Sequence, residues 1–269
     1  MYICKMFEKM NRLLFILAFI ALFTSCKYEK LLKSHDYKLK YQKALEYYAE
    51  EDYIRADGLF EQLKPILKGS IQADTVFFYS AYCNFYQEDY LLGAHYFDEF
   101  RRTFGNSPFA EEAEFMSAYC TYKLSPRPTL DQSYSTKTIS QIGLYLSKYP
   151  NSPRKDECMR IIEELRNKLV EKSYLSAKLY YNLSDYKAAV IALNNSLEQF
   201  PETKYREEIM FLILKASFLL AENSVAEKKI ERYQATVDEY YTFTEEFPGS
   251  SYLKEAEKMF SDSRKILKN

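Results

Sequence analysis

The 269-residue chain contains no tryptophan and only two histidines, His35 and His95. Neither histidine has acidic or cysteine neighbours at metal-ligand spacing, which excludes a helical HExxH zinc site. No glycine-rich loop is present to cradle a phosphate, and no GxSxG elbow presents a nucleophile. The chain is therefore read as a non-enzyme, with no cofactor and no metal. Glycine and proline are also scarce, at six and eight copies. They are read as marking breaks between helices, and no alternating runs bounded by Asn-Gly or Asp-Gly turns occur, so the expected class is all-α. Positive charge is not in excess either: the formal net charge is -1. A nucleic-acid binder normally carries a basic surplus, and none is expected here. Five cysteines are present. Cys83, Cys120 and Cys158 form no CxxC pair and sit among apolar and small residues, so each is read as core packing rather than as a disulfide or ligand.

The N-terminus has the three-part form of a secretory signal. Lys5, Lys9 and Arg12 precede an apolar run from Leu13 to Phe23, then Thr24, Ser25 and Cys26. That run is too short to span a bilayer comfortably, since a transmembrane helix needs about 20 apolar residues. The cysteine at the cleavage point resembles the lipobox of bacterial lipoproteins, with Phe23 standing where that family usually has Leu. The resemblance implies cleavage before Cys26, a diacylglyceryl group on its thiol, and acylation of the new amine, with palmitate among the chains. Residues 1–25 are then the signal peptide, 26–33 a lipidated tether and 34–269 the body. Several acyl chains anchor a protein stably where one would be marginal. Loss of the signal leaves 34 basic and 37 acidic residues, and no later stretch has spanning length.

The body is punctuated four times by one pattern: FGNSPFAEEA from Phe104, YPNSPRKDEC from Tyr149, FPETKYREEI from Phe200 and FPGSSYLKEA from Phe247. An aromatic ends one helix beside a Gly or Pro that stops it. Ser107, Ser152, Thr203 or Ser250 follows as a cap for the next helix, and Pro108 and Pro153 suit its first position. Glu112, Glu157, Glu208 and Glu255 then share a column early in that helix, where negative charge is favourable against its dipole. A second echo is Asp-Tyr at 52, 89 and 185, with a small residue three positions after the tyrosine (Ala56, Gly93, Ala189) and a large one further on (Phe60, Phe97, Leu193). A helix, a short turn and a helix whose small residue admits its partner resemble the tetratricopeptide repeat. The periods, 37 to 51 residues, exceed its ideal 34. The expected fold is an α-solenoid of about five such pairs (34–51 with 53–67, 71–87 with 89–104, 108–123 with 131–149, 154–182 with 185–200, 203–222 with 225–247). A polar capping helix, 250–267, would close it. The stretch SPRPTLDQSYSTKT, between Leu124 and Ile139, reads as a loop too long for a turn inside one repeat.

Aromatics are the one abundant class, with 26 tyrosines and 19 phenylalanines. Most are expected to fill the wedges between helices. Some would line the inner face and grip an extended peptide, a task that amphipathic rings perform well at interfaces. Tyr48, Tyr82, Tyr86 and Tyr119 are the candidates.

Three features extend the likeness: RPTLDQSYS from Arg127 to Ser135, YPNSP from Tyr149, and the long helix running into YLSAKLYYNLSDYKAAV. With Cys26 and the five-pair body they resemble the BamD family, the lipoprotein of the outer-membrane β-barrel assembly machine, over essentially the whole mature chain. The resemblance implies a non-enzymatic scaffold on the periplasmic face of a Gram-negative outer membrane. It would dock on the assembly barrel protein through that protein's periplasmic domains, receive unfolded outer-membrane proteins and meet other subunits of the machine. It also sets Arg127 and Asp131 beside the four tyrosines as partner-binding candidates that order the third-repeat loop, a local helix cap being the alternative. A tetratricopeptide lipoprotein scaffold for envelope or cell-wall enzymes would share the fold and the lipid. A glycan-binding lipoprotein would normally show exposed tryptophans, and this chain has none.

Overall fold

The computed structural model describes residues 27–268, and all regular structure among them is helical. Residues 27–33 form a short α1. It is followed by α2 (Tyr37–Ala49), α3 (Tyr53–Leu67), α4 (Ala73–Tyr86), α5 (Tyr90–Thr103), α6 (Ala110–Lys123) and α7 (Ser133–Lys148). Then come α8 (Lys155–Asn182), α9 (Tyr186–Gln199), α10 (Arg206–Glu222), α11 (Ala226–Glu246) and α12 (Leu253–Leu267). These are the five expected pairs and the closing helix, with ends shifted by a few residues. The described residues divide into two compact units, 27–124 with 140–155 and 125–139 with 156–268.

Each Asp-Tyr turn is built in the same way. Glu51, Glu88 and Ser184 adopt φ of 61°, 62° and 62°, the left-handed conformation that closes a helix. The next residue serves both helices. The amides of Asp52, Asp89 and Asp185 donate back to the carbonyls of Tyr47, Asn84 and Tyr180 at 2.8, 3.0 and 3.0 Å. Their carboxylates accept from the amides of Arg55, Leu92 and Ala188 at 3.2, 3.0 and 3.1 Å, the N-cap geometry. The small column lies buried behind the turn, and so do Phe60, Phe97 and Leu193. At Gly93 even a Cβ would stand 3.3 Å from Cys120 Sγ and 3.5 Å from the Phe85 amide nitrogen. Close approach is what the small residue provides there.

The aromatic–hydroxyl boundaries also repeat atom for atom. The amides of Ser107, Ser152, Thr203 and Ser250 donate to the carbonyls of Phe104, Tyr149, Phe200 and Phe247 at 2.9–3.2 Å. Each hydroxyl accepts from the amide two residues on, at 3.1–3.3 Å. Each of these residues carries a further i+3 turn before the α-helix begins, so the helices start one to three residues later than expected. Leu67 and Ser70 make a fifth copy, with Ser70 N to Leu67 O at 2.9 Å and Ala73 N to Ser70 O at 3.2 Å. Leucine in place of the aromatic hid it in the sequence.

Two expectations need correction. Glycine and proline do not sit only at breaks: Pro65, Gly58, Gly93 and Gly143 lie inside helices. Pro65 falls in the last turn of α3, and Gly58 lies under the Tyr28 hydroxyl, which a Cβ would meet. The stretch between Leu124 and Ile139 is also not all loop: α7 begins at Ser133, two residues after the expected 131, and takes in its second part.

In the first unit the core around Ala56, Leu59, Phe60 and Leu63 also receives Tyr28, Leu31 and Leu32 from α1. In the second, Tyr174, Leu193, Ile209 and Ile213 form one cluster, and Met210, Phe211, Phe243 and Met259 another. Helix α12 buries only the stripe Ala256, Met259 and Ser263 and leaves Lys254, Lys258 and Lys265 exposed, as suits a closing helix. Cys83, Cys120 and Cys158 are free and buried. Burial raises the Cys120 thiol to about 12, far from a reactive thiolate.

Candidate partner-binding surface

Helical spacing puts Tyr79, Tyr82 and Tyr86 on one side of α4. The Asp-Tyr turn brings Tyr48 and Tyr53 against them. Tyr48 lies edge-on to Tyr79 at 4.6 Å and to Tyr53 at 5.6 Å, and Tyr53 stacks on Tyr86 at 4.5 Å. Tyr86 stacks on Tyr82 at 5.8 Å. Phe85 carries the series to Tyr119 of α6 at 5.9 Å. Three of the four candidate tyrosines thus touch through their rings, and the fourth joins through Phe85. The rings differ in access: Tyr86 is 46% exposed, whereas Tyr48, Tyr82 and Tyr119 are half-buried.

Burial pushes the Tyr48 and Tyr82 phenols well above their ordinary value, and Glu112 adds to the shift of Tyr82. Both therefore keep their protons, and Tyr82 donates to Glu112 at 2.6 Å. Glu112 is also held by Arg154, through Nε at 2.9 Å and Nη2 at 2.6 Å. Arg154 in turn lies 4.2 Å over the Phe115 ring. The glutamate column therefore does more than face a helix dipole. Glu112, Glu208 and Glu255 are each the third residue of a helix, and they pair with Arg154, Lys178 and Lys215. Between helices such half-exposed pairs add little stability each, but they set how neighbours meet. The surface offers stacked rings, proton-holding hydroxyls and one exposed edge at Tyr86. It presents no nucleophile, and among the described residues no group of His, Cys, Asp and Glu could hold a metal.

Arg127 and Asp131 lie in the other unit. Asp131 accepts from the Ser133 amide at 2.9 Å just ahead of α7, and hydrogen bonding from the Ser133 hydroxyl, then from that amide, holds its carboxyl below the ordinary value. Arg127 is exposed, and its carbonyl accepts from the Leu130 amide at 3.1 Å. The hub of the loop is Gln132, which the sequence reading passed over. Buried, it donates to the carbonyls of Arg127 and Leu130 at 2.9 and 3.2 Å and accepts from Ser135 Oγ at 2.7 Å. Lys172 closes the loop from α8 by donating to the Thr129 carbonyl at 2.9 Å. Cys26 and the signal segment lie outside the described residues, and no described helix is long and apolar enough to cross a membrane.

A family model described as "YfiO: Outer membrane lipoprotein" matches residues 34–232, most of the chain. The chain belongs to the YfiO outer membrane lipoprotein family. The YfiO match spans the tyrosine series, the Arg127–Asp131 loop and the chain as far as α11. No curated protein matches the sequence. Solved tetratricopeptide domains resemble it only distantly. The TPR2AB domain of yeast Sti1, in its pHSP90 complex, is 13% identical over 85% of this chain and 98% of that one, with a TM-score of 0.40. The P58(IPK) TPR domain is 13% identical over 89% and 68%, with a TM-score of 0.41. So remote a likeness says nothing of what a YfiO-family chain binds.

Proposed function

We propose that this chain is a lipid-anchored, non-enzymatic scaffold of BamD type, working on the periplasmic face of the outer membrane within the β-barrel assembly machinery. The signal peptide ends at residue 25, Cys26 carries the lipid, and the repeat body binds proteins. Its partners are the assembly barrel protein, met through that protein's periplasmic domains, unfolded outer-membrane proteins, and other subunits of the machine. The YfiO family match over residues 34–232 carries this reading. The aromatic series supports the substrate role. An extended, unfolded strand brings alternating apolar side chains and free backbone carbonyls, and Tyr86 with its neighbours supplies rings for the first and hydroxyl donors for the second.

The test is affinity purification of the chain from detergent-solubilised membranes of its source bacterium, followed by mass spectrometry. Recovery of a large β-barrel with periplasmic repeat domains is the expected result. Recovery of cell-wall enzymes without that barrel would overturn the assembly role. A Tyr86→Ala variant should keep the barrel protein and lose unfolded substrate.

A further inference from the structure

The stretch that follows Cys26 is not slack chain. Helix α1 turns Tyr28, Leu31 and Leu32 onto the first-unit core. Tyr28 Oη donates to the Arg55 carbonyl at 3.1 Å, and the Arg55 guanidinium lies 5.8 Å from the Tyr28 ring. The buried Lys40 donates to the Leu32 carbonyl at 2.9 Å and to Gln62 Oε1 at 2.6 Å, binding α1, α2 and α3 together. At about 100° per residue, the side of α1 turned away from that core carries the exposed Glu29 and, outnumbering it, three lysines: Lys30 and Lys33 near its centre and Lys27 at its edge. All three are exposed, and so is Lys38 at the start of α2. None of the four pairs with a carboxylate among the described residues, whereas Lys43 pairs with Glu46. Residues 27–43 hold six lysines against Glu29 and Asp36, in a chain whose net charge is -1.

We propose that this lysine face docks on an anionic phospholipid surface, so that charge as well as the lipid holds the first repeat against the membrane. The proposal rests on the lipid-anchor reading of Cys26, which puts headgroups one residue from Lys27. A lipid chain and a basic patch together form the usual two-signal anchor. Lysines fixed on a packed helix stay within a Debye length of the headgroups, where attraction is felt.

Vesicle co-sedimentation tests it on the whole chain from residue 26 with Cys26→Ser, which removes the lipid but not the face. Binding to phosphatidylcholine vesicles containing phosphatidylglycerol should exceed binding to phosphatidylcholine alone and fall with salt. Inorganic phosphate should compete no better than chloride at equal ionic strength. Each lysine replaced by glutamine should lower partitioning about fivefold, and Lys27, Lys30 and Lys33 together about a hundredfold. The same three changed to arginine should restore it, and the helical circular dichroism should stay constant throughout. Lys187, Lys228 and Lys254 changed to glutamine serve as the charge-matched control and should keep binding. Equal binding to both vesicles, or equal loss in the control, would overturn the proposal. Failure of the anchor reading would show separately, as wild-type chain without a lipid mass increment in cells.

Discussion

The Asp-Tyr turns predict opposite effects from adjacent residues. Glu88 holds φ at 62°, a conformation costing a side-chain-bearing residue about 1–2 kcal/mol. Glycine would relieve that strain and return about 0.5–1 kcal/mol through the greater freedom of the unfolded chain. Glu88→Gly should therefore stabilise by about 0.5–1 kcal/mol. Asp89→Ala keeps the amide bond to Asn84 but strands the Leu92 amide, and loss of such a cap costs about 1 kcal/mol. In a chain of this size 1 kcal/mol moves Tm by about 2–4 °C. Thermal unfolding followed by far-ultraviolet circular dichroism should place Glu88→Gly above the wild type and Asp89→Ala below it. Ser184 and Asp185 repeat the geometry in the second unit and should repeat both signs. A lower Tm for Glu88→Gly, or an unmoved one for Asp89→Ala, would refute the reasoning.

Asp57 gives a pH signature. Burial, the largest cause, raises its carboxyl above the ordinary 3.8 despite bonds from Ser80 at 2.6 Å and Asn84 at 3.3 Å. An acid whose folded pKa is raised binds its proton more tightly when folded, so its contribution to stability falls as pH rises from the ordinary value through the raised one. Above both values the full penalty remains without further change; Asp57→Asn should flatten the part of a denaturant-unfolding pH series between the two values, and an unchanged slope there would refute it. In the third-repeat loop, Gln132→Ala removes the donor to the Leu130 carbonyl, one of two donors to the Arg127 carbonyl, and the acceptor of the buried Ser135 hydroxyl, and should cost about 2 kcal/mol, with faster amide exchange over residues 125–132. Arg127→Ala, at an exposed side chain, should stay within about 0.5 kcal/mol; the reverse ranking would refute the hub assignment.

The helix pairs were legible because their ends are marked by residues with strong local reasons to be there. Asp52, Asp89 and Asp185 cap, and the hydroxyl column closes a turn through short-range bonds that a sequence motif can encode. Leu67 escaped because the motif was read through its aromatic, whereas the turn uses only that residue's carbonyl. Gln132 escaped because its importance lies in burial and in three partners that no spacing reveals. Among 26 tyrosines, composition could say that rings abound, but not that Tyr48, Tyr53, Tyr82 and Tyr86 converge. That convergence depends on how α2, α3 and α4 cross. The pairing of the glutamate column with Arg154, Lys178 and Lys215 is hidden for the same reason, since each cation lies 30 or more residues away in the chain.

The recurring turns also bear on how the chain reaches its fold. Every bond that closes an Asp-Tyr or hydroxyl turn joins residues no more than five apart, so each bend can set before distant partners arrive. Spacers between bends can then lengthen from 37 to 51 residues without scrambling which helix meets which. Local wiring of this kind favours fast acquisition of structure and few wrong pairings. That is an advantage for a chain of similar repeats, in which one helix could otherwise dock on the wrong neighbour.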